Sequence, residues 1–113
     1  MAFTSYHNIS GSTARSTELI ATDDLGKKSI KSIQITNTST SAAATVDLFL
    51  YKQSTDSTAS ETYYYLKDYQ IAYRDYLILD NPHLLRFSNI STGFSLHIDV
   101  GSLDSVDVMI ATI

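Results

Sequence analysis

The stretch Gly93–Ile113, GFSLHIDVGSLDSVDVMIATI, decides the fold. Phe94, Leu96, Ile98 and Val100 alternate with Ser95, His97 and Asp99. After Gly101–Ser105 turns the chain, Val106, Val108 and Ile110 alternate with Asp107, Met109 and Ala111. Successive side chains of a strand point to opposite faces, so a period of two marks a strand with one buried face. Two such runs with a Gly/Ser/Asp turn between them begin an all-β chain.

Working outward, Ser88–Gly93 and Asp80-Asn81-Pro82 read as turns, with His83–Phe87 between them as a short strand. Upstream, Val46, Leu48 and Leu50 alternate with Asp47, Phe49 and Tyr51, which puts bulk on both faces of one strand. A strand of that kind has its second face covered as well. Ile33 and Ile35 share a face within Ser29–Asn37; Ile30 falls out of step, which predicts a bulge or a strand start near Lys31–Ser32. Leu19–Thr22 reads as a short first strand closed by the turn Asp23–Gly26. Glu61–Leu79 admits two readings. As strand it gives Thr62–Lys67, a turn near Asp68 and a second extended piece to Leu79. As helix it places Leu66, Tyr69 or Gln70, Tyr73 and Leu77 on one stripe, but from tyrosine-rich material with no cap. The residue types favour strand.

Seven or eight short strands, with turns every 8–12 residues or so, predict an antiparallel β-sandwich with jelly-roll or Greek-key-like connections. The expected core is the inward set of these strands together with Leu50, Leu66, Leu77, Leu79 and Leu85. Met1–Ser16 shows no sustained period and is expected to be an extended arm, leaving residues 17–113 as a single domain.

Composition narrows the function. The 113 residues carry a net charge of −4 and no cysteine, which excludes disulfides, thiolate metal sites and cysteine nucleophiles. Eight Lys/Arg with no basic run give no footprint for nucleic acid. No apolar run approaches the roughly 18 residues of a membrane helix, and the N-terminal residues lack the pattern of a secretory signal. Ser and Thr supply 29 residues, about a quarter of the chain, so serine-based catalytic matches and Asn-x-Ser/Thr tripeptides at Asn8, Asn37 and Asn89 arise cheaply. His7, His83 and His97 are not at ligand spacing to one another. His97 and Asp99 share a strand face, which more often means solvated polarity than half a metal site. The acidic positions match no calcium loop. The expectation is therefore a protein that is not an enzyme and needs no cofactor or metal.

The tyrosines are the remaining anomaly. Tyr63, Tyr64, Tyr65, Tyr69, Tyr73 and Tyr76 lie within fourteen residues. A large apolar body with a polar tip suits partly wet contact surfaces. Packing within the sandwich and a sugar-binding platform, with Asp68, Arg74 and Asp75 at hand for hydroxyls, are the competing uses.

The succession SIKSIQITNTS, VDLFLYKQ, TYYYLKDYQIAYRDYLILD and GFSLHIDVGSLDSVDVMIATI resembles small all-β virion structural proteins of tailed bacteriophages. The likeness is one of pattern and order over about residues 28–113. It departs at Tyr73–Tyr76, where members of that group tend to have a Pro/Gly-rich turn. It implies a non-enzymatic virion part, foremost a capsid decoration (cement) protein, alternatively a neck or tail accessory protein. Its partners would be other virion proteins and copies of itself as a homo-oligomer, its place the virion after synthesis in the host cytoplasm. Neither nucleic acid nor membrane is expected as a partner. On this reading Phe3 and Tyr6 in the arm and Tyr63, Tyr64, Tyr65, Tyr69, Tyr73 and Tyr76 supply the interface. A small carbohydrate-binding β-sandwich module is the alternative from another class.

Overall fold

A computed structural model describes residues 3–25, 28–55, 57, 59–90 and 93–112. Eight strands form: β1 (Ser5–Ser10), β2 (Ser16–Ile20), β3 (Ile30–Asn37), β4 (Ala44–Lys52), β5 (Glu61–Ile71), β6 (Tyr76–Leu79), β7 (Ser95–Val100) and β8 (Ser105–Thr112). They make two four-stranded antiparallel sheets, in the orders β1-β8-β3-β6 and β2-β7-β4-β5. The described residues contain no helix. The order has a simple logic. Each turn between consecutive strands β1–β2, β3–β4, β5–β6 and β7–β8 carries the chain from one sheet to the other, so neighbours in one sheet continue as neighbours in the next.

The two sheets pack face to face with their alternating apolar residues between them. Ile33, Ile35, Val46, Leu48, Leu96, Ile98, Val108 and Ile110 are fully excluded from solvent, as their period of two requires. Ile9, Leu19, Ile20, Ile71 and Leu85 close the rim of this core, and Leu50, Leu66, Leu77 and Leu79 pack against it half-buried. Phe94 lies only half-buried, outside that cluster, against the Tyr63 ring. Of the two readings near Lys31–Ser32, the bulge is present: β3 starts earlier, at Ile30, and the β3–β8 register shifts between Ile30 and Ser32, with Ile30 in the core.

Two asparagines tie loops to this frame. Asn37 is buried; its Nδ2 donates to the carbonyls of Ala42 and Ile71, and its Oδ1 accepts from Ser39 N–H. Asn89 is likewise buried, donating to the carbonyls of Ala21 and Phe94 and accepting from Leu25 N–H. Neither side chain is available for glycosylation in the folded chain. At one end of the sandwich the turns after β1 and β7 touch. A Cβ on Gly11 would stand 1.8 Å from the Gly101 carbonyl oxygen, so only glycine fits.

Several sequence expectations are corrected. Most of the expected arm is strand: Ser5–Ser10 pairs with β8 in full register from Ser5↔Ile110 to Ser10↔Ser105, with Ile9 in the core. The pattern was masked because Ile9 is the lone aliphatic residue among polar and ring-bearing neighbours. Glu61–Leu79 is not helical, and β5 does not stop near Asp68. It continues to Ile71 through register shifts opposite Val46–Phe49, with Asp68 at φ 51° and its N–H bonded to Asp47 Oδ1. The turn comes at Ala72–Asp75 instead. His83–Phe87 is not a strand: Leu84 and Leu85 N–H both bond to the Asn81 carbonyl in a turn that drops Leu85 into the core.

Candidate functional site

The inward faces are spent on the core, so any chemistry must lie on the outer faces, the edges or the loops. Among the described residues no group of three His, Asp or Glu side chains is placed to hold a metal ion.

The outer face of the β1-β8-β3-β6 sheet is built by register. Tyr6 stands opposite Met109, Met109 opposite Gln34, and Gln34 opposite Ile78. One row therefore crosses all four strands, with Tyr6 66% and Ile78 45% exposed. The next row runs Asn8, Asp107, Thr36 and Tyr76. Its single charge, Asp107, accepts a hydrogen bond of 2.7 Å from Asn8 Nδ2. Eight side chains over two rows thus present one charge, already partnered, and four large apolar or aromatic groups. No other element covers them among the described residues.

The outer face of the β2-β7-β4-β5 sheet carries a ring cluster. Phe49 and His97 are cross-strand partners and stack at 5.5 Å and 13°. Tyr64 lies 5.4 Å from Phe49 on one side, and Tyr51 meets His97 edge-on at 5.7 Å on the other. Lys67 Nζ sits 4.8 Å over the Tyr64 ring and 3.2 Å from Asp47 Oδ2, and that carboxylate raises the lysine's pKa.

His97 joins two further polar groups. Its Nε2 is 2.8 Å from Ser95 Oγ and 3.6 Å from Glu18 Oε2. A Ser, a His and a carboxylate in contact invite comparison with a nucleophilic triad, but the geometry refuses it. In a triad the hydroxyl and the carboxylate use different ring nitrogens; here both address Nε2. The Ser95 hydroxyl also donates its one proton to the Tyr51 carbonyl at 3.1 Å, so it accepts from Nε2–H and is no nucleophile. Burial lowers the His97 pKa against the opposing pull of Glu18 and Asp99, which favours this neutral form. Asp99, the same-face neighbour seen in the sequence, is not the partner that orients the ring. Ser95 and Glu18 are, from two adjacent strands.

Beside this cluster lies a cavity of about 380 Å³, lined among others by Glu18, Thr22, Tyr51, Gln53, Ser95 and His97. A shallower, more apolar depression of about 220 Å³ lies between Tyr65, Ile78, Leu84 and Leu85 at the opposite edge.

The tyrosines picked out in the sequence do not form one belt. Tyr64 belongs to the ring cluster, and Tyr63 packs edge-on against Phe94 at 5.7 Å. Tyr65 turns inward beside the core, where burial raises its pKa. Tyr69 is exposed on β5, Tyr73 lies in the following turn, and Tyr76 is on the other sheet. Tyr6 and Phe3, joined by a 3.0 Å bond from the Tyr6 hydroxyl to the Phe3 carbonyl, sit at the far edge, on β1 and just before it. Sequence reasoning set His97, Phe49 and Met109 on the faces opposite the buried positions but gave neither them nor Ile78 a contact role. Their signal was apolar or ring residues at outward positions of strands whose inward positions were already filled.

No family model, no curated protein and no solved structure matches this chain.

Proposed function

We propose that this chain is a virion structural protein that works by contact, foremost a capsid decoration protein that binds a shell and copies of itself. The observation that carries the reading is the nearly uncharged outer face around Tyr6, Met109, Gln34 and Ile78. An antiparallel sheet facing water alternates apolar-in and polar-out. A row of apolar and aromatic groups on the outside is better accounted for by a partner surface. In a protein of net charge −4, this is also the face on which a like-charged copy meets least repulsion. We read the strand order as that of a jelly roll, an architecture found among viral shell proteins, and the sequence resemblance points to the same class. A neck or tail position would use the same surface.

The test is a face-specific double substitution, Tyr6→Ser with Ile78→Ser. Deleting Met1–Ser16 is not a clean test, because it removes β1. Sedimentation velocity of the full chain should show self-association, and cosedimentation with the particles should show binding. The double variant should weaken either by about thirtyfold or more, as loss of aromatic and aliphatic anchors does, with an unchanged circular dichroism spectrum. Undiminished association of a folded variant would overturn the reading.

A further inference from the structure

We propose that the cavity beside Tyr51 and His97 is a subsite for one neutral sugar ring. This goes beyond the contact role, which uses the other sheet, and it does not draw on the Tyr63–Tyr76 segment.

The lining selects the ligand's class. Among the described residues no Lys or Arg lines it to offset the desolvation of an anion. Thr22, Gln53 and Ser95 interrupt its apolar surface, which disfavours a hydrocarbon ligand. A quaternary ammonium group seeks ring faces that enclose it. Here the Tyr51 and His97 planes meet at 77°, a corner rather than a cage. The ligand that matches an aromatic corner ringed by hydrogen-bonding groups, all neutral but the Glu18 carboxylate, has an apolar C–H face and a rim of hydroxyls. That is a saccharide.

The polar groups suit it. Glu18 holds a carboxylate whose side chain is half exposed, with acceptor capacity beyond its contact to His97. Gln53 brings an exposed amide able to donate and accept together, as vicinal hydroxyls require. Because Nε2–H is committed to Ser95 Oγ, the neutral His97 ring keeps Nδ1 as an acceptor. Stacking on Phe49 and the bond to Ser95 fix this ring before any ligand arrives, so little ordering entropy remains to be lost. The volume, about 380 Å³, lies at the small end of ligand sites and accommodates one ring with its waters.

The experiment is a titration of the ¹⁵N-labelled full chain, followed by amide spectra. The probes are glucose, galactose, mannose and N-acetylglucosamine, each to about 50 mM, since a single subsite is expected to bind on the order of millimolar. At least one should move the Ser95, His97 and Gln53 resonances saturably. Tyr51→Ala and Gln53→Ala should each weaken that sugar by about tenfold or more, while Tyr76→Ser, on the other sheet, should leave its affinity unchanged. Gln53 lies in an exposed loop, so its variant tests the site even if Tyr51→Ala disturbs the strand. No saturable shift with any of the four sugars would overturn the proposal. So would shifts with choline or N-acetylneuraminic acid alone, or full affinity in Gln53→Ala. None of these outcomes bears on self-association through the opposite sheet, so the two proposals fail separately.

Discussion

Strands β7 and β5 belong to the same sheet and obey different rules. β7 is flanked on both sides, by β2 and β4, and its inward set is sealed: Leu96, Ile98 and Val100 are buried to 1% exposure or less. β5 is nearly twice as long, eleven residues against six, yet it buries only Ile71 completely. The cause is position. A central strand must satisfy two ladders at once, so a slip of one residue would turn its whole apolar set to water. β5 has one ladder, to β4, and its free edge tolerates two register shifts and a left-handed Asp68. Those shifts place Tyr65 and Leu66, adjacent in sequence, both half-buried against the core. They also blunt an edge that would otherwise be straight and ready to pair with another chain.

The largest expected effect separates the two strands by stability. Leu96→Ala or Ile98→Ala in β7 removes a side chain with no exposed surface and should cost about 2–5 kcal/mol. Tyr69→Ser, an exposed position of β5, should stay within about 1 kcal/mol. Chemical denaturation of the three variants checks this. Comparable losses in β5 and β7 would mean that the edge is far less permissive than its exposure indicates.

A smaller effect tests what anchors the loose end of β5. Asn37 Nδ2 donates to the carbonyl of Ile71, the one fully buried residue of β5, and to that of Ala42. Asn37→Ala strips both carbonyls of this donor inside the protein, at a cost of about 1–3 kcal/mol. Hydrogen exchange should show the loss spreading first along β5 and the Ala72–Asp75 turn, with β7 the last to open. Uniform acceleration across both strands would show that the asparagine supports the whole domain rather than its edge.

The same contrast explains what could be read from sequence. The alternation of Leu96–Val100 and Val106–Ile110 survives into the structure because both faces of the sandwich core depend on it, whereas Phe94 stays half-buried outside the core, and the misfit of Ile30 coincides with a register shift against β8. β1 leaves little trace in the sequence because its inward positions hold Ser5, His7 and Ile9, and only the last looks like core. The end of β5 is hidden in the sequence for a related reason: a bulge breaks the period of two without ending the strand. Asn37 and Asn89 are indistinguishable in sequence from the loop asparagines around them. The tyrosines were conspicuous, but which of them share a surface depends on which strands are neighbours. Tyr6 meets Met109, and Glu18 meets His97, across more than seventy residues of chain. No spacing rule within one segment connects such pairs.

The smallest expected effect sets the outer faces of the two strands against each other through protonation. On β5, Lys67 gains a partner in Asp47, and its raised pKa lies far above neutrality, where it leaves stability near pH 6 untouched. On β7, burial holds His97 below the ordinary histidine value of 6.5, against the pull of Glu18 and Asp99; burial does the same to His7 on β1. A depressed histidine pKa means that the unfolded chain binds protons the folded chain refuses. Stability then rises with pH through this window and is lost as pH falls from about 6.5 toward the folded values. Thermal unfolding should therefore move to lower temperature between pH 7.5 and pH 5, above the range where carboxylates titrate in the unfolded chain. His97→Gln should reduce that slope and leave the His7 share, and His7→Gln should do the converse. Lys67→Gln should leave the slope as it is. A slope insensitive to both histidine changes would place the pH dependence elsewhere. A slope that steepens in His97→Gln would mean that Glu18 holds His97 charged in the folded chain, and that the pull of the carboxylates exceeds the cost of burying the ring.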